Sequence, residues 1–354
     1  MLPKVDNRSI KDKELRRALG YFCVHVHTKN SAAIFSYWFF SCLTRKKYAC
    51  MDSVDSVPPA IKKNTINQLH YYLAGLIEGD GSIIVRKGKR EAIAPMIVFT
   101  FGKKEIPMYV KLKQVINSGY IYTEKKGVCR YSITNPEIVT RIIRQINGKF
   151  RTPKIYALHK AIDNLNKWRN ANIEKLPIDT SGLDSSAWLA GFIDTDGHFS
   201  IKLTGNYMSD DLESRGKVKC VFSLNQSEIN RITDQSNVPF MTELAKFFKV
   251  NLNYKVANSM HFKKPCCITF GSAAKKTIVF FAQSDRKHYV ITTYLTKFPL
   301  MSSKYLNYLS FFKGLDYLGK RLTKEEILEI RTIKNSMNNS HTDYNWDHLH
   351  RFYS

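Results

Sequence analysis

The spacing of apolar residues along this chain changes from helical to alternating and back, and the same series of changes occurs twice. From Gln68 to Asp80 the apolar residues recur at the spacing of an amphipathic helix. The residues that follow are rich in β-branched and aromatic types, which is typical of strands. The further elements predicted for this half are strands over 82–87 and 93–101, a helix over 105–116, strands over 120–123 and 129–134, and helices over 136–146 and 153–168. The first half is therefore predicted to run αββαββα, with a trailing helix.

The second half repeats this order. A helix beginning near Ser185 opens it, with Trp188 packed at its start. The predicted elements after it are strands over 199–203 and 217–224, a helix over 241–248, strands over 252–256 and 266–270, and helices over 275–282, 289–297, 303–318 and 324–335. The pattern predicts four segments: an N-terminal extension over 1–65, a first domain over 66–172, a linker over 173–186 and a second domain over 187–354.

The extension over residues 1–65 is the least informative part of the chain. Its start is polar and mixed in charge, which matches a transit peptide only weakly because such peptides contain few acids. Its apolar run over 32–44 is too short to span a membrane. We expect this segment to be poorly ordered or leader-like.

One nine-residue motif occurs in both halves, at Leu73–Gly81 and again at Leu189–Gly197. Gly75 and Gly79 lie four residues apart and face the same way on a helix, and Gly191 and Thr195 take their places in the second copy. Small residues on one face let two helix backbones come close together. The repeat therefore predicts that the two motif helices pack against each other.

Each motif helix carries two acids at its C-terminal end, Glu78 and Asp80 in one copy and Asp194 and Asp196 in the other. The helix dipole disfavours carboxylates at that end, so stability is a poor reason for them. Free helix-end carbonyls and carboxylates together predict a site for a hard divalent cation. The glycine after each acid pair is suited to a left-handed helix stop. The plainer alternative is an amphipathic helix with acids on its solvated end. Two copies in a strongly basic chain disfavour that alternative.

Composition narrows the class of partner. The chain has 354 residues and is 44% hydrophobic, which allows two sizeable cores. Its formal net charge of +25 predicts a polyanionic partner, with nucleic acid as the first candidate and an anionic membrane as the second. On charge alone, a basic organellar or ribosomal protein remains an alternative. Seven cysteines without a CxxC pair argue against a zinc site or a disulfide framework. No apolar run is long enough for a membrane span, and nucleic acid is preferred over a membrane as the partner.

The two motifs resemble the LAGLIDADG motif, and from residue 69 to 352 the chain resembles a single-chain, two-motif LAGLIDADG homing endonuclease of the group I intron-encoded type. This resemblance implies an α+β fold of two pseudo-symmetric αββαββα domains, packed through the motif helices to form a β-sheet saddle for double-stranded DNA. It also implies a monomer, Mg²⁺ as cofactor, and a mitochondrial origin, with the chloroplast as the alternative.

Basic residues on strands and hairpin turns are the candidates for DNA contacts, because paired strands can enter a major groove. Any one of them is explained more simply as a solvated side chain, and only the collective bias points to DNA. The candidates are Arg86, Lys87, Lys89, Arg90, Lys125, Lys126, Arg130, Lys202, Asn206, Lys217, Lys219, Asn253, Lys255, Lys263 and Lys264.

The resemblance also assigns roles in catalysis. The last acid of each motif, Asp80 and Asp196, corresponds to the family's metal ligand, whereas Glu78 and Asp194 correspond to helix-end or interdomain residues and are left out. Gln226 matches the polar residue that organises the attacking water, and Lys103 stands at the matching position when the first strand sequence is aligned with the second. The basic residues near the active site correspond to Lys154 and Lys304, which would stabilise phosphate charge or help activate water; a plain surface cation is the alternative for each.

The activity implied is hydrolysis of one phosphodiester in each DNA strand across the minor groove, leaving 3′-overhanging ends. The runner-up is an RNA-binding maturase that assists splicing of the host group I intron on the same scaffold. A nuclease-dead DNA-binding regulator is a third interpretation, which predicts loss of Asp80 and Asp196, and both are present. An intein is disfavoured because the sequence ends without a His-Asn splice junction.

Overall fold

The computed structural model describes residues 65–124, 127–204, 217–230, 233–256, 276–282, 285–341 and 343–352. The expectations for residues 1–64 and for the strand over 266–270 lie outside this part of the chain. Among the helices that are described, none combines the length and apolar character needed to cross a membrane.

The first half has the predicted order of elements and one antiparallel sheet. The elements are α1 (Thr65–Gly79), β1 (Gly81–Ile84), β2 (Met96–Gly102), α2 (Ile106–Ile116), β3 (Tyr120–Thr123), β4 (Val128–Ile133), α3 (Pro136–Ile146) and α4 (Ile155–Arg169). Its strands pair in the order β1-β2-β4-β3. The start of α3 shows how local sequence sets a boundary: Pro136 opens the helix, and Asn135 accepts hydrogen bonds from the backbone N–H groups of Glu137 and Ile138 at 3.0 and 3.1 Å.

The second half repeats this arrangement and adds helices at its C-terminal end. Its elements are α5 (Trp188–Asp196), β5 (Gly197–Thr204), β6 (Lys217–Ser227), α6 (Val238–Phe247), β7 (Asn253–Val256), β8 (Lys276–Ala282), α7 (Asp285–Lys297), α8 (Lys304–Gly314) and α9 (Lys324–Asn335). The strand order β5-β6-β8-β7 is the same as in the first sheet. The α+β class and the doubled αββαββα order are thus confirmed.

The helix predicted over 275–282 is wrong, because this segment is the central strand β8, paired with β6 on one side and β7 on the other. Its sequence, KTIVFFA, is a short continuous apolar run. A short continuous apolar run is compatible with a strand or with a buried helix, and periodicity alone does not distinguish the two.

The motif helices α1 and α5 pack directly against each other, as their small residues predict. A Cβ atom at Gly75 would lie 2.0 Å from the carbonyl oxygen of Trp188, and one at Gly191 would lie 2.1 Å from the carbonyl oxygen of Tyr72. Only glycine permits this distance between the backbones. Gly79 packs on the side chain of Thr195 in the same interface.

The glycines that end the motifs serve close packing and not the predicted left-handed stop. Gly197 has an extended backbone with φ −71°, and Gly81 is the first residue of β1. Added Cβ atoms would lie 2.5 Å from the Cα of Ile77 and 2.6 Å from the Cγ2 of Ile193. Each glycine therefore lets its strand turn back tightly over the end of the helix.

Residues 170–187 connect the halves without a helix or strand. The buried guanidinium of Arg151 fixes this segment: it donates to Asp179 Oδ2 and Ser181 Oγ, both at 2.8 Å. Its second terminal nitrogen donates to Glu243 of α6 at 3.2 Å. One side chain of the first half thus binds both the linker and the second half.

Candidate active site and nucleic-acid face

Two carboxylates meet where the motif helices end. Asp80 follows α1 and Asp196 is the last residue of α5, and the close packing of these helices brings their ends together. Burial raises the pKa of Asp196 to about 6, with the charge of Asp80 as the next cause. Asp80 is open to solvent on one side, but the surrounding protein still raises its pKa. The two predicted metal ligands are thus close enough to repel each other.

The amine groups of Lys154 and Lys304 lie at the same helix ends. Lys154 Nζ donates to the carbonyl oxygens of Ile77 and Gly81, at 3.2 and 3.1 Å, and to that of Gly79. Lys304 Nζ repeats this arrangement with the carbonyl oxygens of Ile193, at 3.4 Å, and Thr195.

Two opposing effects act on the pKa values of Lys154 and Lys304. Burial lowers the pKa of both, while Asp196 and Asp80 act in the opposite direction. The helix-end carbonyls, expected to be free for a metal, are satisfied by these ammonium groups. A plain surface lysine does not fit this placement.

The acid pair fits a divalent cation on chemical grounds. Two mutually repelling carboxylates supply hard oxygen ligands, and a bound cation would relieve their repulsion. Within the described residues no third His, Cys, Asp or Glu completes a protein metal cluster with them. Mg²⁺ is suited to such a set, because it retains several waters and binds one or two carboxylates together with substrate phosphates.

The first acid of each motif is not available to a metal. Glu78 is 3% exposed and accepts hydrogen bonds from the backbone N–H groups of Arg151 and Thr152, at 3.0 and 2.6 Å, and from the Thr152 hydroxyl. The indole of Trp188, from the other half, donates to it at 2.6 Å. Burial raises the pKa of Glu78 to about 7 although these donors lower it.

Asp194 is the mirror image of Glu78. It accepts from the backbone N–H groups of Met301 and Ser302, at 2.8 and 3.1 Å, and from the Ser302 hydroxyl. The hydroxyl of Tyr72, in the first half, donates to it at 2.7 Å. Each first acid therefore holds the loop before its own lysine helix and a side chain of the opposite motif helix, which agrees with the helix-end role expected for both.

Gln226 lies at the site, and Lys103 does not share its position. Gln226 Nε2 donates to Asp196 Oδ2 at 2.7 Å. Gly81 pairs with Phe99, and the equivalent Gly197 pairs with Leu224. Two residues further along the strands, Gln226 therefore corresponds to Phe101 and not to Lys103.

The predicted match of Lys103 with Gln226 is wrong by two residues. Lys103 is exposed in the 3-10 turn after β2, and its side chain makes no hydrogen bond or ion pair within the described part of the chain. A shift of two residues preserves the alternation of a strand. Phe101 instead stacks on Tyr109 of α2, with ring centroids 3.7 Å apart.

Two residues near the acids were not predicted from the sequence. The pKa of the buried Tyr109 is raised well above its ordinary value, first by burial and then by the charge of Asp80. His198 is exposed at the start of β5, and burial, Lys304 and Lys202 lower its pKa. The sequence could have indicated His198, because it lies two residues after the motif acid Asp196 in a predicted strand region. It gives no comparable indication for Tyr109.

The open face of the first sheet is polar and aromatic. Thr100, Arg130 and Tyr122 form one row across three strands, and the tyrosines Tyr120 and Tyr122 are 70% and 45% exposed. Arg130 also pairs with Glu124 at 3.2 Å. The candidates Arg86, Lys87, Lys89 and Arg90 lie in the segment that joins β1 to β2.

The open face of the second sheet is strongly basic. Lys202 of β5 lies directly opposite Lys219 of β6, and Lys217 lies opposite Thr204 one row further on. Lysines in direct opposition destabilise a sheet, and neither Lys202 nor Lys219 has an anionic partner within the described residues. This arrangement is suited to a surface that meets phosphates.

The remaining candidates are only partly described. Asn253 and Lys255 are confirmed as β7 residues, opposite Val279 and Thr277 in the backbone register. The positions that lie outside the described residues are Lys125, Lys126, Asn206, Lys263 and Lys264.

Comparison with known proteins identifies relatives of both halves. Residues 73–165 and 189–315 each match the sequence model of a family described as LAGLIDADG endonuclease. The chain is 27% identical over 315 residues to the intron-encoded DNA endonuclease aI3 of Saccharomyces cerevisiae, across 82% of this chain and 74% of the relative. It is 23% identical over 257 residues to the intron-encoded RNA maturase bI4 of the same yeast, across 71% of this chain and 37% of that one.

A solved structure shares the fold. The I-SmaMI LAGLIDADG homing endonuclease bound to cleaved DNA superimposes with a TM-score of 0.53 and 18% identity. The match covers 77% of this chain and 98% of that one. At this identity the similarity establishes the two-domain α+β architecture and no more.

Proposed function

The chain belongs to the LAGLIDADG endonuclease family, and from this premise we propose that it is a site-specific homing endonuclease that hydrolyses one phosphodiester in each strand of a double-stranded DNA target. The observation that carries the proposal is the meeting of Asp80 and Asp196 at the ends of paired helices, with Lys154 and Lys304 beside them. Neither a DNA-binding regulator nor a structural protein requires this costly group of buried charges.

The roles of the protein groups follow from their contacts. Asp80 and Asp196 would hold a divalent cation, which we propose is Mg²⁺ and which supplies Lewis-acid stabilisation of charge on the phosphate and a more acidic bound water. Gln226 fixes the orientation of Asp196 through its 2.7 Å hydrogen bond and can orient a water with its remaining amide groups. Lys154 and Lys304 supply positive charge beside the acids, where charge develops on the phosphate oxygens.

The two sheets form the proposed DNA surface. The lysine row of the second sheet, Lys202 and Lys219, would contact phosphates, while the row containing Tyr122 and Arg130 on the first sheet would face base edges or sugars. Since the two faces differ in chemistry, we propose a target without strict palindromic symmetry. We further propose action as a monomer with one DNA duplex, with 3′-overhanging products.

A maturase function is the second candidate, and one observation favours it: a relative over 71% of this chain is named as an RNA maturase. Assisting the splicing of a group I intron would not require Asp80 and Asp196. The intron-encoded relatives also support an organellar origin, for which we propose the mitochondrion.

Cleavage can be tested on a plasmid in which the exon sequences that flank this reading frame are joined without the intron. We expect the wild-type protein with Mg²⁺ to linearise it, and the double variant Asp80→Asn, Asp196→Asn to leave it intact. Asp163→Asn, an exposed acid on α4 paired with Lys175, is the matched control and should cut normally. Undiminished cutting by the double variant would refute the proposal, and intron splicing supported by that variant would favour the maturase.

A further inference from the structure

A carboxylate outside the motifs crosses from the first half to the second beside the active site. Glu105 follows β2 in a 3-10 turn, and its Oε2 accepts a 2.9 Å hydrogen bond from the backbone N–H of Ser303. Its Oε1 accepts from the Ser303 hydroxyl. Ser303 is 2% exposed, so Glu105 accepts hydrogen bonds from a buried residue with both of its carboxylate oxygens.

Ser303 immediately precedes the active-site lysine Lys304. Ser303 is the N-cap of α8, and Lys304 is the first residue of that helix. A carboxylate is favourable at a helix N-terminus, where backbone N–H groups and the dipole attract negative charge. Lys304 is thereby held from two directions, by Glu105 through its backbone neighbour and by the carbonyls of Ile193 and Thr195 through its amine.

The first half cannot build this clamp. The residue before Lys154 is Pro153, which has no backbone N–H to donate. Three residues beyond the end of the strand, where the first half has Glu105 after Gly102, the second half has the neutral Asn230 after Ser227. The charge of Glu105 also favours the charged form of Lys304, whereas Lys154 receives this effect only from Asp196, Glu78 and Asp80.

We propose that Glu105 is a positioning residue for Lys304 alone, so that the two lysines are unequal and the cuts in the two DNA strands depend on Glu105 to different extents. This inference rests on the proposed endonuclease function. Misplacing a group by about 1 Å can cost on the order of a hundredfold in rate, so loss of the clamp should slow the strand cut served by Lys304 and spare the other.

The test measures both strands separately. A supercoiled plasmid carrying the joined exon sequences is cut with Mg²⁺, and the nick in each strand is followed by end label. In Glu105→Ala we expect one strand to be cut at least about tenfold more slowly, with nicked circles accumulating, and the other to be cut at close to the wild-type rate. Glu105→Gln retains one acceptor oxygen, and its rate for the affected strand should lie between those of the wild-type protein and Glu105→Ala.

The exposed acid Glu137 of α3 provides the matched control, since Glu137→Gln should cut both strands normally. Equal slowing of both strands by a Glu105→Ala protein that unfolds at the wild-type temperature, or no slowing of either strand, would overturn the proposal. Thermal unfolding of each variant shows whether equal slowing reflects misfolding, and in that event Glu105→Gln decides the question.

A second measurement needs no cleavage. Reductive methylation followed by mass spectrometry of the peptides gives the labelling of Lys304 relative to Lys154. Glu105→Ala should raise this ratio several-fold by freeing Lys304, and an unchanged ratio would refute the positioning role. If the wild-type protein nicks neither strand but the ratio still rises, the endonuclease proposal fails while the positioning of Lys304 stands.

Discussion

The indole nitrogen of Trp188 donates a 2.6 Å hydrogen bond to the carboxylate of Glu78 in the opposite half. Tyr72 occupies the matching place in the first motif helix and donates at 2.7 Å to Asp194. The two bonds cross the helix interface in opposite directions, and they explain why each motif keeps a buried acid that cannot bind a metal.

Removing one of these donors should weaken the fold. Trp188→Phe leaves Glu78 with one donor fewer and a smaller ring, and a lost bond to a buried charge costs about 1.5–3 kcal/mol of unfolding free energy. Tyr72→Phe removes only a hydroxyl and should lie at the lower end of that range. Urea unfolding at pH 8 measures both, and a loss below about 0.5 kcal/mol for Tyr72→Phe would contradict the role of the bond.

Adding a methyl group to the helix interface should be far more damaging than adding one elsewhere. Gly75→Ala and Gly191→Ala would place a Cβ 2.0–2.1 Å from a backbone oxygen that cannot move independently of its helix, so we expect a loss of about 3 kcal/mol or more. Gly102→Ala is the control, because no atom lies within 4 Å of its added Cβ. Comparable unfolding midpoints for the three variants would show that the helices can separate without cost.

Stability without metal should fall as the pH rises. Folding raises the pKa of Asp196 from 3.8 to about 6, so between these values the folded protein keeps a proton that the unfolded chain has lost. The stabilisation is complete below pH 3.8 and absent above pH 6. The full difference corresponds to roughly 3 kcal/mol, and because the carboxylate is partly accessible, screening by solvent should reduce it to about 1–2 kcal/mol.

Asp196→Asn isolates this effect. We compare the free energy of unfolding of the variant with that of the wild-type protein. In EDTA this difference should be about 1–2 kcal/mol more favourable to the variant at pH 8 than at pH 4. Mg²⁺ should narrow the gap by stabilising the wild-type protein alone. Urea titrations at the two pH values measure the difference. A gap independent of pH would mean that folding does not raise the pKa of Asp196.

The opposed lysines of the second sheet should matter for DNA in a salt-dependent way. Lys219→Gln removes one phosphate contact and should lower the slope of log affinity against log salt by about 1, while relieving the repulsion with Lys202 and stabilising the free protein by about 0.2–1 kcal/mol. Lys160→Gln, an exposed lysine of the outer helix α4, is the control. Equal salt slopes for all three proteins, measured by fluorescence anisotropy, would exclude this row from the interface.

The alignment of β2 with β6, its counterpart in the other sheet, depends on information that strand alternation does not contain. Alternation identifies the face of a strand but is unchanged by a slip of two residues, so Lys103 was matched with Gln226 although the strand pairing matches Phe101. The same weakness affected β8, whose apolar run is compatible with both a helix and a central strand. In both cases the missing information was the identity of the neighbouring strand, which is a tertiary property.

Short-range patterns of the sequence, namely helical spacing, helix ends and a repeated motif, predict the doubled order of elements and the paired small faces of the motif helices. They also mark Asp80 and Asp196 as site candidates. Lys154 and Lys304 are candidates only through the resemblance to the family. Only the tertiary structure decided what each buried polar group touches. The motif helices pack at glycines, and this close contact brings distant segments of the chain together. It allows the hydrogen bond from Trp188 to Glu78 and the one from Ser303 to Glu105, which spans 198 residues.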